Sequence, residues 1–179
     1  MRVSARLGVW FVALVMSVAL PPAARAEFDA KDAQILGRTL GYSGDGMSGV
    51  VVVGVVFAPG DPESRREAEL VRSVIGDGLP TGRVRLQARL VPVEQLAMAT
   101  GLNALYLTPG LDGSSELILS AARRLQIPTI SASLPCVESG RCVVGYTSEP
   151  TVQILINQGA AVRIGVHFLQ AFRMLVREQ

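Results

Sequence analysis

The chain has 179 residues and a mass of 19.0 kDa, a length that fits one domain and excludes a multidomain machine. Apolar residues make up 49% and charged residues 18%, the balance of a packed core and not of a disordered tail. The formal net charge is +2, but Arg2, Arg6 and Arg25 precede Glu27, and beyond them 14 of the 17 basic residues face all 15 acidic ones, which excludes a basic nucleic-acid-binding face.

Residues 1–26 read as an export signal. Arg2 and Arg6 give a positive start, residues 7–20 are almost wholly apolar, and Pro21-Pro22 breaks the helix before Ala24-Arg25-Ala26. Small residues at the first and third positions before a cut place cleavage between Ala26 and Glu27. A membrane anchor is the other reading, but a spanning helix needs about 20 apolar residues and this run stops short. The expected mature chain, residues 27–179, is one domain outside the cytoplasm, in the periplasm.

Residues 29–41 carry Ala33, Ile35, Leu36 and Leu40 near helical spacing and predict a first helix, ended by Gly41 and the glycine-rich loop behind it. Residues 49–57 are valine-rich on both alternations, the pattern of a strand covered on both faces in a parallel sheet. Asp61-Pro62 sets up a second helix as N-cap and first helical residue, running to about residue 75. Residues 84–90 alternate strictly between apolar and polar, which predicts a strand with one wet face at or near an edge. A short helix over 92–100 follows, then strand 104–107, helix 114–125, and strands 128–131, 143–146 and 152–156. Ile164, Phe168, Phe172 and Leu175 predict a closing helix over 160–176. The alternation predicts an α/β fold, a three-layer sandwich round a mostly parallel sheet, Rossmann-like in the manner of a periplasmic-binding-protein lobe.

Cys136 and Cys142 are the two cysteines, and Gly140 between them allows a tight turn. In an oxidising compartment this pair reads as a disulfide clipping a loop, structural first and redox-labile second. Two thiols and His167 fall short of a zinc site, so no metal and no cofactor are expected.

The inventory speaks against an enzyme. His167 is the single histidine and reads as a packing or surface residue. Ser131-Ala132-Ser133 lacks the Gly-x-Ser-x-Gly elbow, and the glycines of residues 41–46 precede the first strand instead of following it. Asp112 and Glu116 stand near a helix start, where carboxylates favour the dipole. In open α/β sheets ligands bind beyond the carboxyl ends of the strands. Those ends offer Pro59, Thr108, Ser131 and Ser133 as a crevice for a small ligand or a partner's loop, although ordinary turns use the same residues.

The run Cys136-Val137-Glu138-Ser139-Gly140-Arg141-Cys142, followed by Val152 to Asn157, then Ala160-Ala161 and Gly165 before an apolar segment with Phe168, Leu169, Phe172 and Leu175, resembles the YfiR family of periplasmic regulators. The family's aromatic segment after the first helix is replaced here by Leu40-Gly41-Tyr42-Ser43. The resemblance implies a non-enzymatic repressor of cyclic-di-GMP signalling. It would bind the periplasmic domain of a membrane-bound diguanylate cyclase, as a homodimer, with Asn157, Ala160, Ala161 and Gly165 as structural motif residues. The segments from Val51 to Ser64, Ala104 to Gly110 and Ile127 to Ser131 are similar to one lobe of the substrate-binding proteins of ABC importers. That second resemblance implies a small ligand held at the strand ends, with one lobe where those proteins have two.

Overall fold

Residues 27–44 and 46–179 are described in the computed structural model of the protein. The expected leader, with Ala26 at its cleavage point, lies outside the described residues.

The valine run forms β1 (Gly49–Phe57), and Val53, Val55 and Val56 have no exposed surface. It is covered on both faces, as a strand apolar on both alternations must be. β3 (Val84–Pro92) and β4 (Ala104–Leu107) flank it, both parallel. β5 (Thr129–Ser131) and β6 (Val144–Thr147) continue the parallel set beyond β4. Three short strands finish the two sides. β2 (Leu79–Thr81) runs antiparallel to β3, β7 (Gln153–Ile156) antiparallel to β6, and β8 (Arg177–Glu178) parallel to β7. The eight-stranded sheet has the order β2-β3-β1-β4-β5-β6-β7-β8. The sheet is therefore mixed and mostly parallel, as expected.

The chain steps from β1 through α2 (Pro62–Ile75) to β3 on one side, then crosses back to β4 and continues the other way through α3 (Ser115–Leu125). Right-handed crossovers running in opposite directions place their helices on opposite faces. One face carries α1 (Ala30–Leu40) and α2, which pack on each other and on β3. The other carries α3, which packs on α5 (Gln158–Ile164) and on a 3-10 turn over Val93–Met98. Local chemistry fixes the helix starts. Asp29 caps α1 in a reciprocal capping box with Asp32, and Asp61 accepts from the Glu63 and Ser64 amides at 2.9 and 3.2 Å ahead of Pro62.

The alternating strand, β3, lies near an edge as expected, second in because the Leu79-Pro80-Thr81 stretch pairs outside it. Three expectations change. The expected helix over 92–100 is the shorter 3-10 turn. The cysteine-bounded loop opens with a helical turn, α4 (Leu134–Glu138). The closing helix over 160–176 does not form as one element. α5 ends at Ile164, and Gly165 takes the left-handed conformation, φ 74°, that a glycine C-cap allows. The chain then runs back to the end of α1, where Phe168 bridges Ser43 and the Leu169 amide donates to the Tyr42 carbonyl at 3.0 Å. A single turn, α6 (Gln170–Arg173), stacks Phe172 on Tyr42 with ring centroids 5.1 Å apart. His167 therefore lies in this return segment and not in a helix, and its carbonyl accepts from the Gly44 amide at 2.8 Å.

Candidate ligand-binding site

Strand order reverses between β1 and β4, so the turns after these strands frame the crevice that open α/β sheets use for ligands. Here the protein's own side chains occupy that seam. The Ala58 amide donates to Ser64 Oγ at 2.9 Å, Ser64 Oγ lies 2.6 Å from Thr108 Oγ1, and Thr108 Oγ1 donates to the Val56 carbonyl at 2.9 Å. Gly110, at φ 76°, sits directly against the Asp61 carboxylate, with no room for a Cβ. Pro59 takes the Arg65 guanidinium on its carbonyl and does not line the open crevice described next.

The open crevice is displaced by one strand. It lies beyond the ends of β4 and β5, between the start of α3 and α4, with a volume of about 180 Å³. Thr108, Ser131 and Ser133, three of the four residues expected from the strand ends, line it. The Ser131 hydroxyl donates to the Leu107 carbonyl at 3.0 Å and the Thr108 hydroxyl is held in the seam, so neither is free to turn to a ligand. Asp112 and Ser115 form one wall, and Cys136 and Arg141 the other. Arg141 pairs with Asp112 across the opening, and its Nε donates to Ser139 Oγ at 2.9 Å. Cys136 and Cys142 are disulfide-bonded with Cα atoms 5.4 Å apart, and the amides of Arg141 and Cys142 both donate to the Cys136 carbonyl. The clip thus holds the arginine-bearing turn, with Gly140 at φ 76°, beside the crevice.

The Arg141–Asp112 pair was not among the residues singled out for a site. Its signal in the sequence is an arginine inside the cysteine-bounded loop and an acid just before a helix; Glu116, four residues on, sits in the first turn of α3.

The motif residues of the C-terminal third have structural work. Asn157 caps α5 through the Ala160 amide at 2.7 Å, and its Nδ2 donates to the Val137 carbonyl at 3.1 Å. Arg163 reaches the Gly140 carbonyl at 3.1 Å. Ala160 and Ala161 are buried, and Gly165 ends the helix. These contacts tie α5 to the disulfide turn.

On the opposite face of the sheet, the ends of β4 and β6 enclose polar groups under α1 and α2. The Tyr106 hydroxyl donates to Glu67 Oε1 at 2.8 Å, while the Tyr146 hydroxyl is buried with no hydrogen-bond partner among the described residues. Burial holds both phenols well above their ordinary pKa, and burial also raises Asp32 above the ordinary carboxylate value. A buried hydroxyl left without a partner costs about 1–3 kcal/mol.

No protein-family model matches the chain, and no curated protein sequence does either. Solved structures do match. A conserved domain protein from Vibrio cholerae superposes with a TM-score of 0.57 at 14% identity, over 86% of this chain and 61% of that one. An open, ligand-free substrate-binding protein with adhesive properties from Clostridium difficile gives 0.58 at 10% identity, over 85% and 60%. An ABC domain in complex with L-Trp from Streptococcus pneumoniae gives 0.51 at 11% identity, over 72% and 56%. The fold is α/β of the substrate-binding-protein-lobe kind. The chain spans about three-fifths of the length of these structures.

Proposed function

We propose that the protein is an exported, non-enzymatic binding module that holds a small ligand in the crevice between α3 and α4. The observation that carries this reading is the crevice's position at the carboxyl ends of adjacent parallel strands, with Ser133, Ser115 and the Arg141–Asp112 pair around it. The likeness to substrate-binding proteins supports the lobe, and the disulfide supports an oxidising compartment. Arg141 is the residue that would select the ligand. A ligand carboxylate could take the guanidinium from Asp112 by a charge-assisted hydrogen bond. The test is a thermal-shift and calorimetry screen of the purified protein against the common amino acids and dicarboxylates. Saturable stabilisation that is lost in Arg141→Ala is the expected result, following RT ln(1 + [L]/Kd). A flat screen for a folded protein with its disulfide intact removes the reading.

A second reading rests on the C-terminal motif. Asn157 and Arg163 bind α5 to the disulfide turn and so bring the two halves of that motif together. On that reading the partner is the periplasmic domain of a membrane-bound diguanylate cyclase. Cross-linking in the native cells followed by mass spectrometry separates the two: a captured cyclase supports repression by contact, and an ABC permease supports ligand delivery.

A further inference from the structure

The crevice between α3 and α4 has a simple charge inventory. Of the residues that line it, Arg141 carries the one positive side chain and Asp112 the one negative, while Cys136 is tied in the disulfide and the rest are neutral. The two charges come from opposite walls and meet across the opening. Arg141 is oriented from behind: its Nε donates to Ser139 Oγ at 2.9 Å, and a terminal nitrogen of the guanidinium meets Asp112. The buried side chains of Leu111 and Ile118 give the inner part of the crevice an apolar lining.

These charges restrict what can enter. A simple carboxylate that takes the guanidinium leaves Asp112 beside it, two negative charges against one positive, and a dicarboxylate adds a third. A bare amine that takes Asp112 meets the mirror problem at Arg141. Asp112 is exposed and Arg141 partly covered, so solvent screens these terms without removing them, and the pair opens at small cost. A molecule with one carboxylate and one ammonium replaces each member of the pair and leaves no charge unmatched. The volume sets its size, because about 180 Å³ is the space of about six water molecules at about 30 Å³ each, close to the heavy-atom count of alanine or serine.

We propose that the Arg141–Asp112 pair is a latch that is exchanged for a small α-amino acid. Its carboxylate goes to Arg141, its ammonium to Asp112, and its short side chain lies against Leu111 and Ile118. The inference rests on the crevice reading and narrows it, since it makes Asp112 a specificity residue and turns dicarboxylates away.

The test is calorimetric titration of the purified, disulfide-intact protein with L-alanine and L-serine, against propionate, succinate and ethylammonium at equal ionic strength. Saturable binding of alanine or serine is expected, with the other three at least about tenfold weaker. Asp112→Asn removes the ammonium site and the repulsion together, so amino-acid affinity should fall about tenfold while propionate gains by a similar factor. A general loss of structure would lower both. Asp112 is exposed and neither of the helical turns it precedes has a side-chain cap, so the variant should keep the thermal midpoint of the wild type. Propionate or succinate binding as tightly as the amino acids overturns the latch and leaves the crevice reading in place. Alanine and serine affinities unchanged in Asp112→Asn overturn it too. No saturable binding of either amino acid by the folded wild type also overturns it, and the succinate titration then shows whether the crevice itself binds.

Discussion

The Ser64 and Thr108 hydroxyls lie 2.6 Å apart in the buried seam between α2 and the carboxyl end of β4. Through them a helix residue, a strand end and the Ala58 and Val56 backbone groups share one hydrogen-bond chain. Ser64→Ala leaves the Ala58 amide unsatisfied and removes a partner of Thr108, and should cost about 1–3 kcal/mol. Urea unfolding should show a lower midpoint with an unchanged m-value. A shift below about 0.5 kcal/mol would mean that water takes over both groups.

Gly110 and Asp61 lock the same seam from the loop side. Gly110→Ala introduces a Cβ against the Asp61 carboxylate at a positive φ and should destabilise by more than about 1 kcal/mol. Asp61→Ala alone removes an N-cap worth about 1 kcal/mol. Because the second change clears space for the first, the double variant should be less destabilised than the two costs added. Additive losses in a double-mutant cycle would show that the left-handed backbone, and not the clash, sets the cost at Gly110.

The disulfide closes a short loop, for which the chain-entropy model gives about 2 kcal/mol. The Cys136→Ser/Cys142→Ser variant should lose about that much stability and become indifferent to reductant, while the wild type in dithiothreitol should match it. The larger effect should fall on the crevice, because the Arg141 turn hangs from the clip. Amide exchange should speed up over residues 139–143 far more than over β5.

Two sets of buried acids set the pH dependence. The folded pKa of Asp32 is raised by burial, so between its ordinary value of 3.8 and that raised value the native state holds the extra proton. Stability from this group therefore falls as pH rises through that window. Asp32→Asn keeps an oxygen for the Asp29 amide and removes the charge, so its stability relative to the wild type should improve from pH about 4 to about 7. Tyr106 and Tyr146 act at the other end. Their folded pKa values are raised well above 10.0, so they ionise freely only after unfolding, and stability should fall steeply above pH about 10. In a Tyr42→Phe background, which leaves Tyr106 and Tyr146 as the only phenols, absorbance near 295 nm should rise in step with loss of circular dichroism. Phenolate signal from Tyr106 or Tyr146 before unfolding would show that hydroxide reaches these groups in the folded protein.

Elements whose signal is local were readable in the sequence. β1 announced itself by valines on both alternations, and α2 by Asp61-Pro62. The C-terminal region was not readable in the same way. Phe168, Phe172 and Leu175 keep helical spacing, yet Phe168 and Phe172 are spaced to meet α1 and not to line one helix, and only the tertiary contact with Tyr42 and Ser43 shows it. β2 is three residues long and contains a proline, below any periodicity threshold. Of the strand-end residues named for a crevice, Thr108, Ser131 and Ser133 line the open one and Pro59 does not, because Ser64 and Gly110 close the seam beside it by contacts between segments far apart in the chain. A small cavity of about 80 Å³ under α1 and α2, lined by Asp32, Glu67 and Tyr106, was invisible for a related reason. A tyrosine in an apolar strand such as Ala104-Leu105-Tyr106-Leu107 reads as core until the carboxylates of two helices are placed above it.

The return of residues 166–172 to the end of α1 has a consequence for the order in which the molecule is made. On the export reading the chain crosses the membrane from its amino end, and it folds as sequence becomes available on the far side. α1 is among the first described elements to emerge, yet Tyr42 and Ser43 at its end find Phe172 and Phe168 only when nearly all of the chain is out. Pairings of such wide sequence separation form late and slowly. The helix that starts the fold is thus among the last to be sealed, and a chain halted before residue 168 would leave Tyr42 uncovered at the end of α1.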